Sequence, residues 1–263
     1  MVSSRFLSLF ILSVASAAPF LTEGDLNSTA WTPDHVLQPH EVIVYGEGRM
    51  EVMHVDTYNA LMASQDRLTD VPEVDESFLE FAHNDPPNVN ITESDLQARQ
   101  FSCTATRAMA TDKTYDFVGW DIQMSRVAQA GITPIDITIR NGYTTSNTVQ
   151  VSGNTDVNWI KDTLKTTFGV NYSRQWTTSI DISIKATVSP HYTGVMITKP
   201  LKTRRLGRVL QGCPGSFKQV GTFQADSHKV GSYGKIDWVA GAIAICQKKQ
   251  YPLTFCNGNG QFI

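Results

Sequence analysis

Polar and apolar residues alternate over two long stretches of the chain. In residues 172–188 the even positions are mostly apolar, whereas every odd position carries a polar side chain, usually Ser or Thr. Residues 135–152 repeat the alternation, with Ile, Tyr and Val among the odd positions. A period of two places successive side chains on opposite faces of a strand. Both stretches are therefore predicted to be strands with one buried face and one solvated face.

Other segments carry their own local signals. Apolar residues recur at helical spacing through residues 157–168, and Thr155 or Asp156 precedes them as a candidate N-cap. Residues 41–62 predict a hairpin that turns at Gly46-Glu47-Gly48, followed by a short helix capped by Asp56. Further strands are predicted at residues 120–128, 192–198, 216–226 and 235–247.

These patterns predict a mainly β fold with one short helix in its main body. At about 3.3 Å per residue, a 17-residue strand would reach roughly 55 Å, and strands usually have about five or six residues. Either the strands break, at Gly142 and near Arg174, or the body is elongated. Elongated β proteins with amphipathic, Ser/Thr-rich strands are typical of aerolysin-type toxins. An antiparallel sandwich with one wet face gives the same alternation, so both architectures stay open.

The first residues have the order of a secretory signal. Arg5 precedes an apolar run at 6–14 that is too short to span a bilayer, and Ala15-Ser16-Ala17 forms a small-x-small cleavage site. We therefore expect residues 1–17 to be a signal peptide cleaved after Ala17, and the protein to be secreted and extracellular.

Charge divides the rest of the chain. Residues 19–100 carry 16 Asp or Glu against 3 Arg, a net charge of −13, whereas residues 101–263 carry 18 Lys or Arg against 9 Asp, a net charge of +9. This asymmetry predicts an acidic leader at 18–100, which holds the hairpin at 41–62, and a basic β domain at 101–263. The leader either docks on the basic domain or is a separate solvated tail.

The four cysteines are even in number, which in a secreted protein predicts two disulfides. Cys246 with Cys256 and Cys103 with Cys213 are the favoured pairs among three possible pairings. A zinc site is the alternative, but no ligand spacing supports it. Three N-x-[ST] sequons are candidate glycosylation sites, at Asn27, Asn90 and Asn171.

Catalytic motifs are missing from the sequence, which predicts neither an enzyme nor a cofactor. Asp226, Ser227 and His228 are adjacent, and adjacent strand residues point to opposite faces, so they do not form a triad. We expect Asp181, Asp226 and Asp237 to be surface or turn carboxylates.

A cluster of cations is the densest charged feature of the body. It could bind an anionic lipid, a cell-wall polyanion or nucleic acid, or it could be a solvated loop. No aromatic residues are interleaved with it, so specific nucleic-acid recognition is not expected. The cluster comprises Lys199, Lys202, Arg204, Arg205 and Arg208.

Several stretches between about residues 40 and 256 carry a resemblance to known proteins. They are EVIVYGEGRMEVMHVDTYN, GWDIQMS, NGYTTSNTVQVS, WIKDTLKTTFGVNYSRQWTTS, YTGVMITKPLKTRRLGRVLQGC and FQADSHKVGSYGKIDWVAGAIAIC. In this order they resemble a family of secreted, effector-like ascomycete proteins. The resemblance implies a secreted fungal protein, often from a plant-associated species, with a matching pattern of four cysteines and with no assigned catalytic residue.

The sequence and the resemblance together predict an effector-like binding protein that contributes to virulence on a plant host. It would act outside the fungal cell on a host protein or a membrane surface. The alternative is a membrane-active, pore-forming toxin with an acidic pro-segment, which would oligomerise. A third possibility is a cell-wall-associated protein that holds polysaccharide through surface Trp and Tyr.

Overall fold

The computed structural model describes residues 27–46, 48–73, 104–140, 142–153, 155–178, 183–213, 216–234 and 236–263. The expected signal peptide with Ala17, the sequon at Asn90, and the residues Cys103 and Asp181 lie outside this part of the chain.

The described residues form a mainly β protein, as the alternation predicts. The N-terminal part supplies β1 (Ser28–Ala30), β2 (Val36–Leu37), β3 (Glu41–Gly46), β4 (Arg49–His54) and the helix α1 (Val55–Ser64). The middle supplies β5 (Thr106–Val118), β6 (Ile122–Gln123), β7 (Ala128–Gln129), β8 (Ile135–Thr138), β9 (Thr144–Ser146), β10 (Thr148–Gly153), the helix α2 (Val157–Phe168), β11 (Gln175–Thr177) and β12 (Lys185–Val188). The last part supplies β13 (Thr193–Gly212), β14 (Lys218–His228), β15 (Val230–Tyr233), β16 (Ile236–Val239) and β17 (Gly241–Lys248).

Strand β13, with 20 residues, is the central strand of a ten-stranded sheet. On one side it pairs first with β17 and then with β14, and on the other with β7, β6 and β5 in succession. On both sides of β13 one partner strand ends and the next begins at the same place, close to Pro200. Gly119 N donates to Pro200 O at 2.8 Å where β5 ends, and the β15–β16 hairpin departs between β14 and β17. The sheet thus has two halves joined by β13. The first half holds β1, β4, β3, β17, β7 and β6, and the second half holds β14, β10 and β5.

The hairpin predicted at 41–62 is confirmed, and it is part of the main sheet. Strand β3 pairs antiparallel with β17, so that Ile43 lies opposite Ile243. Strands β4 and β1 continue the sheet outward. Tyr45 is fully buried and its hydroxyl donates to Val239 O. The hairpin is therefore joined to the body by backbone pairing and apolar packing, and the charge boundary at residue 100 does not separate it from the core.

Two hydrophobic clusters lie on opposite faces of the first half. One face packs against α1 through Tyr58, Leu61 and Met62. The other packs against a small sheet in which β12 pairs antiparallel with β8 and parallel with β2. Sheet-on-sheet packing is the arrangement that a sandwich predicts.

Helix α2 covers one face of the second half. Ile160 and Leu164 are fully buried against Phe223, Ala225 and Val209 of the sheet. The helix begins where predicted, because the Asp156 side chain accepts from the backbone N–H groups of residues 158 and 159. It ends at Gly169, whose φ of 69° gives the left-handed conformation that glycine adopts most readily.

Other predictions need correction. The alternating stretches 135–152 and 172–188 are divided into short strands, with breaks that include Gly142 and the segment before β11. Residues 120–128 hold only the two-residue strand β6 and the start of β7, whereas the first long strand of the body is β5. The N-cap of α1 is His54, whose side chain accepts from Asp56 N, in place of Asp56 itself.

Neither described helix is long and apolar enough to cross a membrane.

We predict that Ile43→Ala will lower the free energy of unfolding by about 2–5 kcal/mol, because removal of this buried side chain leaves a cavity in the hydrophobic cluster that packs against the small sheet. Urea unfolding measures the change. The control is Ile132→Ala, where the side chain is 85% exposed and the change should stay within about 0.5 kcal/mol. Equal effects of the two substitutions would contradict an integral hairpin.

Candidate functional site

A cleft of about 370 Å³ lies where the two halves of the large sheet meet. Its volume falls in the range of small-ligand sites, roughly 300–1,000 Å³. One wall is the face of the second half that α2 does not cover. We call this wall the polar floor; its residues are Thr148, Gln150, Lys202, Arg204, Gln224, Asp226 and His228.

Strand register explains why these side chains share one face. Lys202 lies opposite His228, and Arg204 lies opposite Asp226. Thr148 of β10 lies opposite Asp226 on its other side, so Arg204, Asp226 and Thr148 form one row across three strands. The residues alternate along each strand with side chains that face α2, so a period of two places the polar set together.

An ion pair is buried in the polar floor. Arg204 donates to both carboxylate oxygens of Asp226, from Nε at 2.7 Å and from Nη2 at 2.8 Å. Its Nη1 donates to Pro72 O at 2.7 Å, so residues from the predicted leader reach the site. Both side chains are less than one-tenth exposed. The bidentate geometry satisfies the carboxylate and offsets the cost of removing both charges from water.

Lys202 is the second cation of the polar floor, and its side chain is 18% exposed. Its Nζ lies 3.9 Å from Asp226 Oδ2, beyond hydrogen-bond distance. Among the residues that the structure describes, none accepts a hydrogen bond from this ammonium group. Burial lowers the pKa of Lys202, and the charge of Asp226 only partly opposes this effect.

His228 is held as a neutral imidazole. Asn147 Oδ1 accepts from His228 N at 2.8 Å and lies 3.3 Å from Nδ1, while Thr145 Oγ1 lies 3.4 Å from Nε2. The ring packs edge-on against Trp176. Burial, followed by the positive charge of Lys202, lowers the pKa of His228 from its ordinary value of 6.5 to about 3.

Aromatic side chains also line the cleft, and one of them, Phe117, lies opposite Lys202 on β5 and so shares the face of the polar floor. Trp120 lines it and is 47% exposed, and Phe117 and Phe255 complete the apolar surface. The Trp120 ring lies against Gly258, where an added Cβ would come within 2.5 Å of Trp120 Cγ. Glycine therefore permits this close packing and helps to fix the ring.

Asp121 anchors the loop that carries Phe255 and Gly258. Its Oδ2 accepts from Cys256 N at 2.7 Å and from Asn257 N at 2.8 Å. The predicted disulfide Cys246–Cys256 is confirmed, and it joins the same loop to β17. Burial raises the pKa of Asp121, although both backbone hydrogen bonds oppose the rise.

A metal site does not fit this corner. Asp121, Cys246 and Cys256 have potential ligand atoms within 4.8 Å of one another. Both sulfurs, however, belong to the disulfide. Because thiolates are the sulfur ligands that metals use, the group offers only one carboxylate.

The five predicted cations do not form one surface patch. They lie along β13, in place of a solvated loop, and alternate between its faces. Lys202 and Arg204 belong to the polar floor. Arg205 faces α2, where its guanidinium lies over the Phe168 ring and donates to Tyr172 Oη. Arg208 is exposed and paired with Asp112, and Lys199 is half-buried near the loop at Cys256.

The predicted surface carboxylates Asp226 and Asp237 differ in their burial. Asp226 is buried, so its interpretation as a surface or turn carboxylate is wrong, whereas Asp237 is exposed. Asp226 and His228 share the polar floor, while Ser227 contacts Thr203 O on the backbone of β13. These three residues do not form a relay.

A different set, Thr145, His228 and Asn147, has the order of a nucleophile, a base and an orienting group. Its hydrogen bonds are long, at 3.4 and 3.3 Å. A histidine whose pKa is about 3 is also a weak base for a threonine hydroxyl. The arrangement therefore favours a rigid polar wall over nucleophilic chemistry.

The structure also describes one further predicted disulfide cysteine and two of the three predicted glycosylation sites. Cys213 is disulfide-bonded. Asn27 and Asn171 are exposed, so both sequons are accessible. Asn171 forms a local turn in which its Oδ1 accepts from Ser173 N, and its backbone O accepts from Asn147 Nδ2. Glycosylation at either position stays a prediction.

Sequence reasoning missed most of the cleft. Trp120 was placed in a strand, and Gln150 and Gln224 were not singled out. The available signal was the stretch 222–228, which alternates polar and small or apolar residues. All of it is buried, including its polar face.

Comparisons with family models, with curated proteins and with solved structures give no match to this chain. The resemblance to effector-like fungal proteins therefore stays a prediction.

We predict that Asp226→Ala will destabilise the protein by about 3–5 kcal/mol, because it leaves the Arg204 charge buried without its partner. Urea unfolding measures the loss, and the double variant Arg204→Met/Asp226→Leu should recover much of it. The matched control is Asp112→Ala, which breaks the exposed pair with Arg208 and should change stability little. A loss no larger than that of the control would contradict a buried, coupled pair.

We also predict that stability will fall in acid through His228. The unfolded chain binds a proton near pH 6.5 and the folded chain only near pH 3, so this contribution is complete above pH 6.5 and is lost as the pH falls toward 3. Between pH 7 and pH 5 the expected loss is about 2 kcal/mol.

Urea unfolding at several pH values checks this. His228→Gln should remove that part of the pH dependence, whereas His191→Asn, at an exposed histidine, should retain it. Parallel pH profiles for the native protein and His228→Gln would exclude the assignment.

Proposed function

We propose that this protein is a secreted binding protein that holds a saccharide-sized polar ligand in the cleft. The observation that carries the proposal is Trp120, a large ring that is nearly half exposed and is fixed against Gly258 beside the polar floor. Burying such a ring would be favourable, so its exposure at the mouth of a polar cleft indicates a surface for a ligand.

The chemistry of the two walls supports a sugar. The flat face of an aromatic ring stacks on the C–H face of a pyranose, and hydroxyl groups need partners that both donate and accept. The amide and hydroxyl side chains of Gln150, Gln224, Thr145 and Thr148 line the same cleft and supply both functions. Within the described residues, Gln224 Oε1 has no hydrogen-bond partner.

Binding is favoured over catalysis by the state of the ionisable groups. Arg204 occupies both oxygens of Asp226, and the low pKa of His228 makes it a weak base. Secretion and action on a plant host rest on the signal segment and on the resemblance to effector-like proteins. This function combines the predicted binding role with the cell-wall possibility.

The membrane-active alternative stays a prediction, and release of a dye from liposomes tests it. The segments assigned to it, 135–152 and 172–188, contain strands β8 to β12, which pair within the folded protein.

We predict that the purified protein will be retained on at least one insoluble wall polysaccharide, or will bind its oligosaccharides, and that Trp120→Ala will weaken this binding at least about tenfold. Retention assays and calorimetry measure it. The control is Tyr251→Ala, which removes an aromatic ring that is 74% exposed outside the cleft. No binding to any polysaccharide, or equal binding by Trp120→Ala and the native protein, would refute the proposal.

A further inference from the structure

We propose that the ligand of the cleft carries a carboxylate that pairs with Lys202, so that the saccharide is a uronate or a uronate-containing oligomer. This inference rests on the proposed function and specifies its ligand.

Lys202 is the one cation of the polar floor whose hydrogen-bonding capacity remains unused within the described residues. Its ammonium has three donors, yet the carboxylate oxygen with which it is paired, Asp226 Oδ2, lies 3.9 Å away. That carboxylate already accepts from Arg204 with both oxygens. A partly buried charge that no protein group accepts from is unfavourable, and an acceptor entering the cleft would offset this cost.

The surroundings of Lys202 leave its charge locally uncompensated. Lys202 and Arg204 share the single carboxylate of Asp226, and His228, directly opposite Lys202, is neutral. Asp121 also lines the cleft, but its Oδ2 is held by the backbone of the C-terminal loop, and its charge is offset by Lys199 and Lys248. An incoming anion therefore meets an excess of one positive charge on the polar floor.

The arrangement favours a carboxylate over a phosphate monoester. Each nitrogen of Arg204 already donates, Nε and Nη2 to Asp226 and Nη1 to Pro72 O, so Lys202 is the cation with more donors left for a ligand. One ammonium group matches one monovalent anion, whereas a phosphate dianion needs a second cation. Trp120 and the side-chain amides of Gln150 and Gln224 supply contacts for the uncharged part of the sugar ring.

The test compares a uronate oligomer with the same oligomer after chemical reduction of its carboxyl groups to alcohols. Both are titrated into the full-length protein by calorimetry. A charge-assisted hydrogen bond predicts about 10- to 100-fold tighter binding of the uronate. Lys202→Met should lower uronate affinity to that of the reduced oligomer, and Lys218→Met, at an exposed lysine on β14 outside the cleft, should not.

The outcomes separate the inference from the function on which it rests. Equal binding of the two oligomers would contradict the inferred carboxylate but not the saccharide site. Tighter binding of a sulfated or phosphorylated oligomer would have the same meaning. Absence of binding by both oligomers and by all neutral polysaccharides would overturn the function as well. The comparison of ligands uses the native protein, so it holds even where Lys202→Met fails to fold.

Discussion

Pairing along both edges of β13 is the constraint on which the rest of the structure depends. The strand carries neighbours on each side over its length, and both neighbours are interrupted near Pro200. Proline has no N–H to donate and tolerates such an interruption. Because neighbouring strands leave the sheet at this level, the side chains just beyond it, beginning with Lys202, border an opening. The cleft is thus a consequence of how two half-sheets share one strand.

The charged side chains of the second half of the sheet leave Lys202 without a hydrogen-bonded carboxylate partner among the described residues. The face opposite α2 is polar, and Arg204 and Asp226 neutralise each other there with good geometry. A buried ion pair adds little net stability compared with apolar packing, but it fixes side chains in place. Asn147 Oδ1 accepts from the backbone N of His228 and lies 3.3 Å from its Nδ1, which orients this ring as well. Lys202 is therefore surrounded by fixed side chains, which would lower the conformational cost of binding the proposed ligand.

Local signals predicted the local structure well. Helix α2 followed from apolar spacing and from Asp156, the hairpin from its glycine turn, and the disulfide Cys246–Cys256 from proximity in sequence. The first part of β13 was predicted at residues 192–198, but its continuation was missed because the cations at 202, 204 and 205 look solvated, and only the pairing of distant strands buries them. The polar floor needs three strands in register, Thr148 with Asp226 and Asp226 with Arg204. No periodicity within a single segment contains that information.

The position of β3 has a consequence for how the protein is made. Its partner β17 lies about 200 residues later in the chain, and the hydroxyl of Tyr45 finds its acceptor 194 residues away. Synthesis runs from the N-terminus, so the hairpin emerges long before the strand that it must pair with. The edge of β3 that pairs with β17 stays unpaired during that interval, and contacts between residues so far apart in sequence form slowly. The pairing of β3 is therefore completed only after β17 has been synthesised.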